Sequence, residues 1–87
     1  GVFRLIDKGE RDDKILAVPH TDPLFRDYRD LDDVPHHFLD EAAHFFKVYK
    51  DLEMVEVEAK GWDDREDAYE AIEAAMNRYW EHVQGRR

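Results

Sequence analysis

The eight residues Asp7-Lys8-Gly9-Glu10-Arg11-Asp12-Asp13-Lys14 gather four carboxylates and three cationic side chains. Asp7 and Asp12, at the two ends of a strand-to-strand connection, could converge on a hard divalent cation. Mg²⁺ prefers carboxylate oxygen and keeps waters that a phosphate can replace. Lys14 follows Asp12 by two positions, so in extended chain both side chains share a face and the ammonium could meet a phosphate held beside that ion. The same composition equally suits a solvated turn kept soluble by mixed charge, which is the commoner use of such a run.

A second pair stands at Tyr49-Lys50, where a phenol and an ammonium could each donate to a phosphate oxygen. The plainer alternative has Tyr49 completing an apolar helix stripe and Lys50 offsetting the negative end of the helix. His37, Glu41 and His44 fall one helical turn apart and invite a zinc reading, but no fourth ligand accompanies them. His36 and His37 read as first-turn surface residues and His44 as a partner for Asp40. Trp62 and Trp80 read as core side chains rather than stacking platforms.

The elements that must hold these residues follow from periodicity and punctuation. Val2 to Ile6 and Lys14 to Val18 are rich in branched and aromatic residues and predict strands, which leaves Asp7 to Asp13 as the loop between them. Pro19 ends the second strand, and His20 to Asp33 is a polar crossing loop anchored by Leu24, Phe25, Tyr28 and Leu31. Asp32 or Asp33 should cap a helix with Pro35 in its first turn, running to about Lys50. Its core stripe is expected at Phe38, Ala42, Phe45 and Tyr49, flanked by Leu39 and Phe46. Met54 to Ala59 alternates as a half-buried strand, with Val55, Val57 and Ala59 on one face, and Gly61 should break it. Asp63 or Asp64 should cap a second helix reaching Gln84 before Gly85, with Ala68, Ile72, Ala75, Met76, Tyr79 and Val83 as its apolar face. Three strands and two helices then share one core.

The 87 residues contain five Phe, four Tyr and two Trp, so a few large rings supply most of the burial in what is at most one domain. The formal charge of −9 argues against a nucleic-acid partner. No cysteine is present, which removes disulfides and thiolate metal sites and points to the cytoplasm. No apolar run approaches the ~20 residues that cross a bilayer, and no signal-peptide pattern is seen. A start on Gly1 rather than Met suggests a piece of a longer chain.

Taken in order, Gly1-Val2-Phe3-Arg4-Leu5-Ile6-Asp7, the pattern D-x4-D-x-K at Asp7, Asp12 and Lys14, and Ile15-Leu16-Ala17-Val18-Pro19 resemble the stretch after the midpoint of family I soluble inorganic pyrophosphatases. Asp33-Val34-Pro35, the run His44-Phe45-Phe46-Lys47-Val48-Tyr49-Lys50-Asp51-Leu52-Glu53 and Val57-Glu58-Ala59-Lys60-Gly61-Trp62 look like that family's helix and following strand. The likeness covers nearly the whole chain.

The resemblance implies an α+β class, with residues 1–87 forming the C-terminal part of one pyrophosphatase domain. Its strands would belong to a small OB-like β-barrel with two helices packed outside. It implies Asp7 and Asp12 as metal ligands for Mg²⁺, Asp12 and Lys14 as catalytic residues, and Lys14, Tyr49 and Lys50 as contacts to substrate phosphate. The implied reaction is hydrolysis of inorganic pyrophosphate by a metal-activated water, in a homo-oligomer that is hexameric in bacterial-type relatives. Lys8 stands where some members carry an acidic residue, and the family's upstream D-x-D-P-x-D motif is not among these residues. The isolated chain is therefore expected to be inactive and, with open strand edges, marginally stable or self-associating. The alternative is a noncatalytic module that retains this fold and binds a protein through its acidic surface or aromatic stripe.

Overall fold

The computed structural model describes residues 1–54 and 56–85. Strand β1 (Val2–Asp7) turns back through Lys8 and Gly9, whose φ angles of 55° and 81° are both positive. That is the signature of a type I′ hairpin turn, whose twist suits adjoining strands. The return strand is recorded in two pieces, β2 (Glu10–Arg11) and β3 (Lys14–Ile15). Both keep one antiparallel register against β1, with Asp7 opposite Glu10, Ile6 opposite Arg11, Phe3 opposite Lys14 and Val2 opposite Ile15. Asp12 and Asp13 interrupt an otherwise continuous ladder. The expected long loop from Asp7 to Asp13 is thus a tight turn followed by a strand, because Lys8 and Gly9 alone reverse the chain.

Beyond Ile15 the chain crosses in turns to a short 3₁₀ segment at Leu31–Asp33. Helix α1 (His36–Leu52) follows. Pro35 occupies its N-cap position and no side chain caps it, contrary to the expected Asp32 or Asp33 cap. The Asp33 carboxylate is committed one element earlier, accepting from the backbone N–H groups of Arg29 and Asp30 at 2.6 and 3.0 Å. Those bonds hold its carboxyl pKa below the usual aspartate range.

Strand β4 (Val57–Asp63) lies antiparallel to β1 on the side away from the hairpin. It continues through Gly61, which was expected to end it. Arg4 faces Gly61 while Leu5 faces Ala59, so Lys60 is the extra residue of a bulge. Gly61 takes φ +97° there, a backbone conformation that glycine adopts without strain, and the strand bends instead of stopping. Val55, expected within this strand, lies outside the described residues. Asp64 then caps helix α2 (Arg65–Gln84) by accepting from the Asp67 N–H at 3.1 Å.

The class is α+β, with four strands and two helices. The sheet is open among the described residues, with β1 in its centre, rather than a closed OB-like barrel. Opposed residues of a sheet share a face, so Phe3, Leu5 and Asp7 of β1 stand with Lys14, Asp12 and Glu10 of the hairpin and with Trp62 of β4. Helix α1 lies on that face. The Phe3 ring sits 6.0 Å from Phe46 and 5.1 Å from Trp62, and Trp62 Nε1 donates to the Leu39 carbonyl at 3.1 Å.

Among the described residues the buried apolar side chains are few: Val2, Phe3 and Leu5, fully enclosed, with Leu39 and Ala68. The side of α1 that meets the sheet is Leu39, Ala42, Ala43 and Phe46, while Phe38, Phe45 and Tyr49 remain 48, 59 and 47% exposed. Of the expected core stripe, Ala42 and the flanking Leu39 and Phe46 face the sheet, whereas Phe38, Phe45 and Tyr49 lie on the outward side. On α2, Met76, Tyr79 and Trp80 are 58, 65 and 58% exposed, so Trp80 is not a core residue here. The radius of gyration is 15.1 Å, against about 12 Å for a compact chain of this length.

Candidate active site

Charged side chains gather at the polar end of the α1-covered face. Asp7 closes β1 at the edge of the Phe3–Leu5 core, and α1 crosses so that Lys50 of its last turn reaches it. Lys50 Nζ lies 2.8 Å from Asp7 Oδ2, with both side chains about one-fifth exposed, at 19 and 18%. This contact, together with smaller contributions from Glu53 and Asp12, holds the ammonium above the ordinary lysine range despite its partial desolvation.

Asp12 belongs to the interrupted part of the hairpin, yet its backbone N–H donates to the Leu5 carbonyl at 2.8 Å. That bond keeps its carboxylate on the same face as Asp7. Lys14 Nζ lies 3.0 Å from both Asp12 oxygens and 5.7 Å from the centroid of Phe46, giving it a cation–π contact with the core. Asp7, Asp12, Lys50 and Glu53, with Lys8, Glu10 and Arg11 at the rim, line an open recess of about 410 Å³.

Asp7, Asp12, Lys14 and Lys50 are therefore brought to one place. Tyr49 is at its border: its ring stacks on Phe45 at 5.9 Å and lies 5.7 Å from Lys50 Nζ. Arg11, Glu53 and Glu10 were not singled out as site residues. Glu53 could have been found from its i, i+3 relation to Lys50, from which it lies 3.8 Å.

Asp7 Oδ1 is buried and has no hydrogen-bond partner. A buried acceptor is rarely left without one, and a carboxylate oxygen of this kind suits a hard cation. The number of donors falls short, since no group of three or more His, Cys, Asp or Glu side chains among the described residues is placed to hold a metal. Asp7 and Asp12 thus fit such an ion in kind but do not form a complete coordination shell.

The lining of the recess is charged throughout, with Lys50 held against Asp7 inside it and the Lys14–Asp12 pair beside it against Phe46. Ammonium groups at that separation from a carboxylate pair suit an anionic ligand that carries, or shares, cations of its own. Among the described residues no helix is long and apolar enough to cross a membrane.

Comparison with known proteins gives the family. Residues 1–80 match the family described as Pyrophosphatase: Inorganic pyrophosphatase. The chain is 48% identical over 79 residues to an inorganic pyrophosphatase of Halalkalibacterium halodurans, covering 91% of this chain and 48% of the relative. It is 48% identical over 82 residues to one of Haloferax volcanii, covering 93% of this chain and 46% of the relative. A third, from Methanosarcina mazei, is 48% identical over 75 residues, covering 86 and 44%. The chain spans about half the length of these relatives. A match over residues 1–80, a range that includes Asp7, Asp12, Lys14 and Lys50 of the recess and its edge, means that this chain belongs to the inorganic pyrophosphatase family.

Proposed function

We propose that the recess is one wall of a site that hydrolyses inorganic pyrophosphate to two phosphates, and that the rest of the wall comes from chain outside these residues. The observation that carries this is the meeting of Asp7, Asp12, Lys14 and Lys50, from two strands and a helix, around one unpartnered buried carboxylate oxygen. The relatives, all named inorganic pyrophosphatase and about twice as long, support both parts of the reading.

In this reading Asp7 and Asp12 would hold a hard divalent cation, Mg²⁺ by its preference for carboxylate oxygen, together with oxygens supplied from elsewhere in the domain. Such an ion, when bound, lowers the pKa of its water and offsets phosphate charge. The chain's own residues act around it. Lys50 keeps its charge through Asp7 and presents an ammonium to a phosphate oxygen. Lys14, beside Asp12, would present its ammonium to a second phosphate. Tyr49, already beside Lys50, adds a neutral donor. Each interaction strengthens as negative charge collects on the departing phosphate, which is how such contacts accelerate a reaction rather than only bind substrate.

A homo-oligomer and a cytoplasmic location belong to the same reading. The noncatalytic module is favoured by one observation, the wide exposure of Met76, Tyr79 and Trp80, and the two readings part at Asp12. Phosphate release from pyrophosphate with Mg²⁺ would be compared for this chain alone, the chain joined to the remainder of the domain, and the joined form carrying Asp12→Asn. The enzyme reading expects turnover only in the joined parent form. An inactive joined form, or one indifferent to Asp12→Asn, sinks it.

A further inference from the structure

The face of the sheet opposite the recess carries a chain of ion pairs that links β2, the Asp12–Asp13 interruption, β1 and β4. Arg4, at the centre of β1, donates through Nη1 to Asp13 Oδ2 at 3.0 Å and through Nε to Asp63 Oδ2 of β4 at 2.9 Å. The same Asp13 oxygen accepts from Arg11 Nη2 at 3.0 Å. Asp13 is the most enclosed member, its side chain 15% exposed against 22% for Arg4 and 60% for Arg11.

The position of Asp13 matters more than the count of its bonds. It lies between Asp12 and Lys14, and alternation along the strand sends those two side chains to the recess and Asp13 to the other face. It also lies where the ladder is interrupted, between Arg11 and Lys14. With strand pairing weakened there, the Asp12 N–H to Leu5 carbonyl bond needs support from something else on the segment. Arg4, directly across from Asp13 in the shared register, supplies it.

We propose that Asp13, through Arg4, is a positioning residue that sets the backbone carrying Asp12 and Lys14, although it does not itself line the recess and meets it only through Arg11 at the rim. The proposal rests on the pyrophosphatase reading. Asp63, at the other end of the same ion chain, anchors Arg4 to β4 but does not bear on residues 12 to 14.

The test uses the complete pyrophosphatase domain with pyrophosphate as substrate. Asp13→Asn, which keeps the shape and removes the charge, should lower kcat about tenfold and raise amide hydrogen exchange at Asp12 and Lys14. Asp13→Glu should recover part of the rate. Asp63→Asn removes the other arm of Arg4; it should lower the thermal midpoint but leave kcat and those amides within twofold of the parent. If Asp13→Asn and Asp63→Asn act alike on rate and exchange, Asp13 contributes only stability and the proposal is overturned. Should Asp13→Ala fail to fold, the isosteric Asp13→Asn and the Asp13→Glu recovery still decide. Asp12→Asn run beside them separates the two levels: if it inactivates while Asp13→Asn is silent, only the positioning inference falls, and if it is silent, the site reading falls with it.

Discussion

The two helices are of similar length but stand in different situations. Helix α1 lies on a sheet face whose apolar residues it meets ring to ring, through Phe46, Phe3 and Trp62. Helix α2 is anchored at its first turns, where Asp64 caps it and Ala68 is buried, and from Ile72 onward presents Met76, Tyr79 and Trp80 to open space beside Ile15 and Asp13. The side chains proposed for chemistry all sit at the margin of the first region. A charge can be held at a fixed distance only where the backbone beneath it is locked by packing. The α1 face offers that lock within these residues, and the outer part of α2 does not.

The largest effect should separate the two regions outright. Phe3→Ala removes the ring between Phe46 and Trp62 and should cost about 3–5 kcal/mol, the range for large-to-small changes in a closed core. Trp80→Ala in this chain should fall within about 0.5 kcal/mol, as expected of a surface substitution. Denaturant melts of the two variants check this, and equal costs would mean that α2 is covered in solution. Next in size, Lys50→Met in the complete domain should lower kcat/KM roughly a hundredfold, the order seen when one preorganised donor to developing negative charge is lost. Unchanged steady-state rates would remove Lys50 from the site.

The response to pH should also differ across the sheet. Burial raises the Asp13 pKa, but hydrogen bonds from Arg11 and Arg4 lower it by more, so the carboxyl titrates below the usual range. A depressed folded-state pKa contributes stability that is present above the ordinary aspartate value near ~4 and lost as pH falls through the folded value. Lys50 works in the opposite sense. Its pKa is raised, mainly by Asp7, so its contribution is complete below the ordinary lysine value near ~10.4 and disappears as pH rises through the folded one. Acid melts of Asp13→Asn and alkaline melts of Lys50→Met should each lose the corresponding slope and keep the other.

The smallest effects lie in two turns. Met54 holds φ +56° just beyond α1 and is 94% exposed, so Met54→Gly should stabilise by about 1 kcal/mol through relief of left-handed strain. Lys8→Asn should add a few tenths of a kcal/mol, since Asn-Gly suits a type I′ turn better. Thermal midpoints read both.

Much of this arrangement was legible in the residues. Strand β1, both helices, the Asp64 cap and the segment holding Asp7, Asp12 and Lys14 follow from periodicity, punctuation and motif. What was hidden depended on partners distant in the chain. Leu39–Ala42–Phe46 and Phe38–Phe45–Tyr49 are adjacent apolar stripes on one helix, and only the sheet beneath decides which is inside. Gly61 marks a positive φ, but a stop and a bulge both use one; pairing with Arg4 and Leu5 selects the bulge. Asp33 is a good cap residue with two helices' worth of N–H groups within reach, and the nearer 3₁₀ turn takes it. The Arg4–Asp13 pair needed the hairpin register, which the Lys8-Gly9 turn determines.

The central claim, that this recess is part of a pyrophosphate-hydrolysing site built around Asp7, is tested most directly by the rate of phosphate release from the complete domain carrying Asp7→Asn. A fall of roughly a hundredfold or more is expected in a protein that still unfolds cooperatively. A rate within twofold of the parent, in a folded protein, would contradict it.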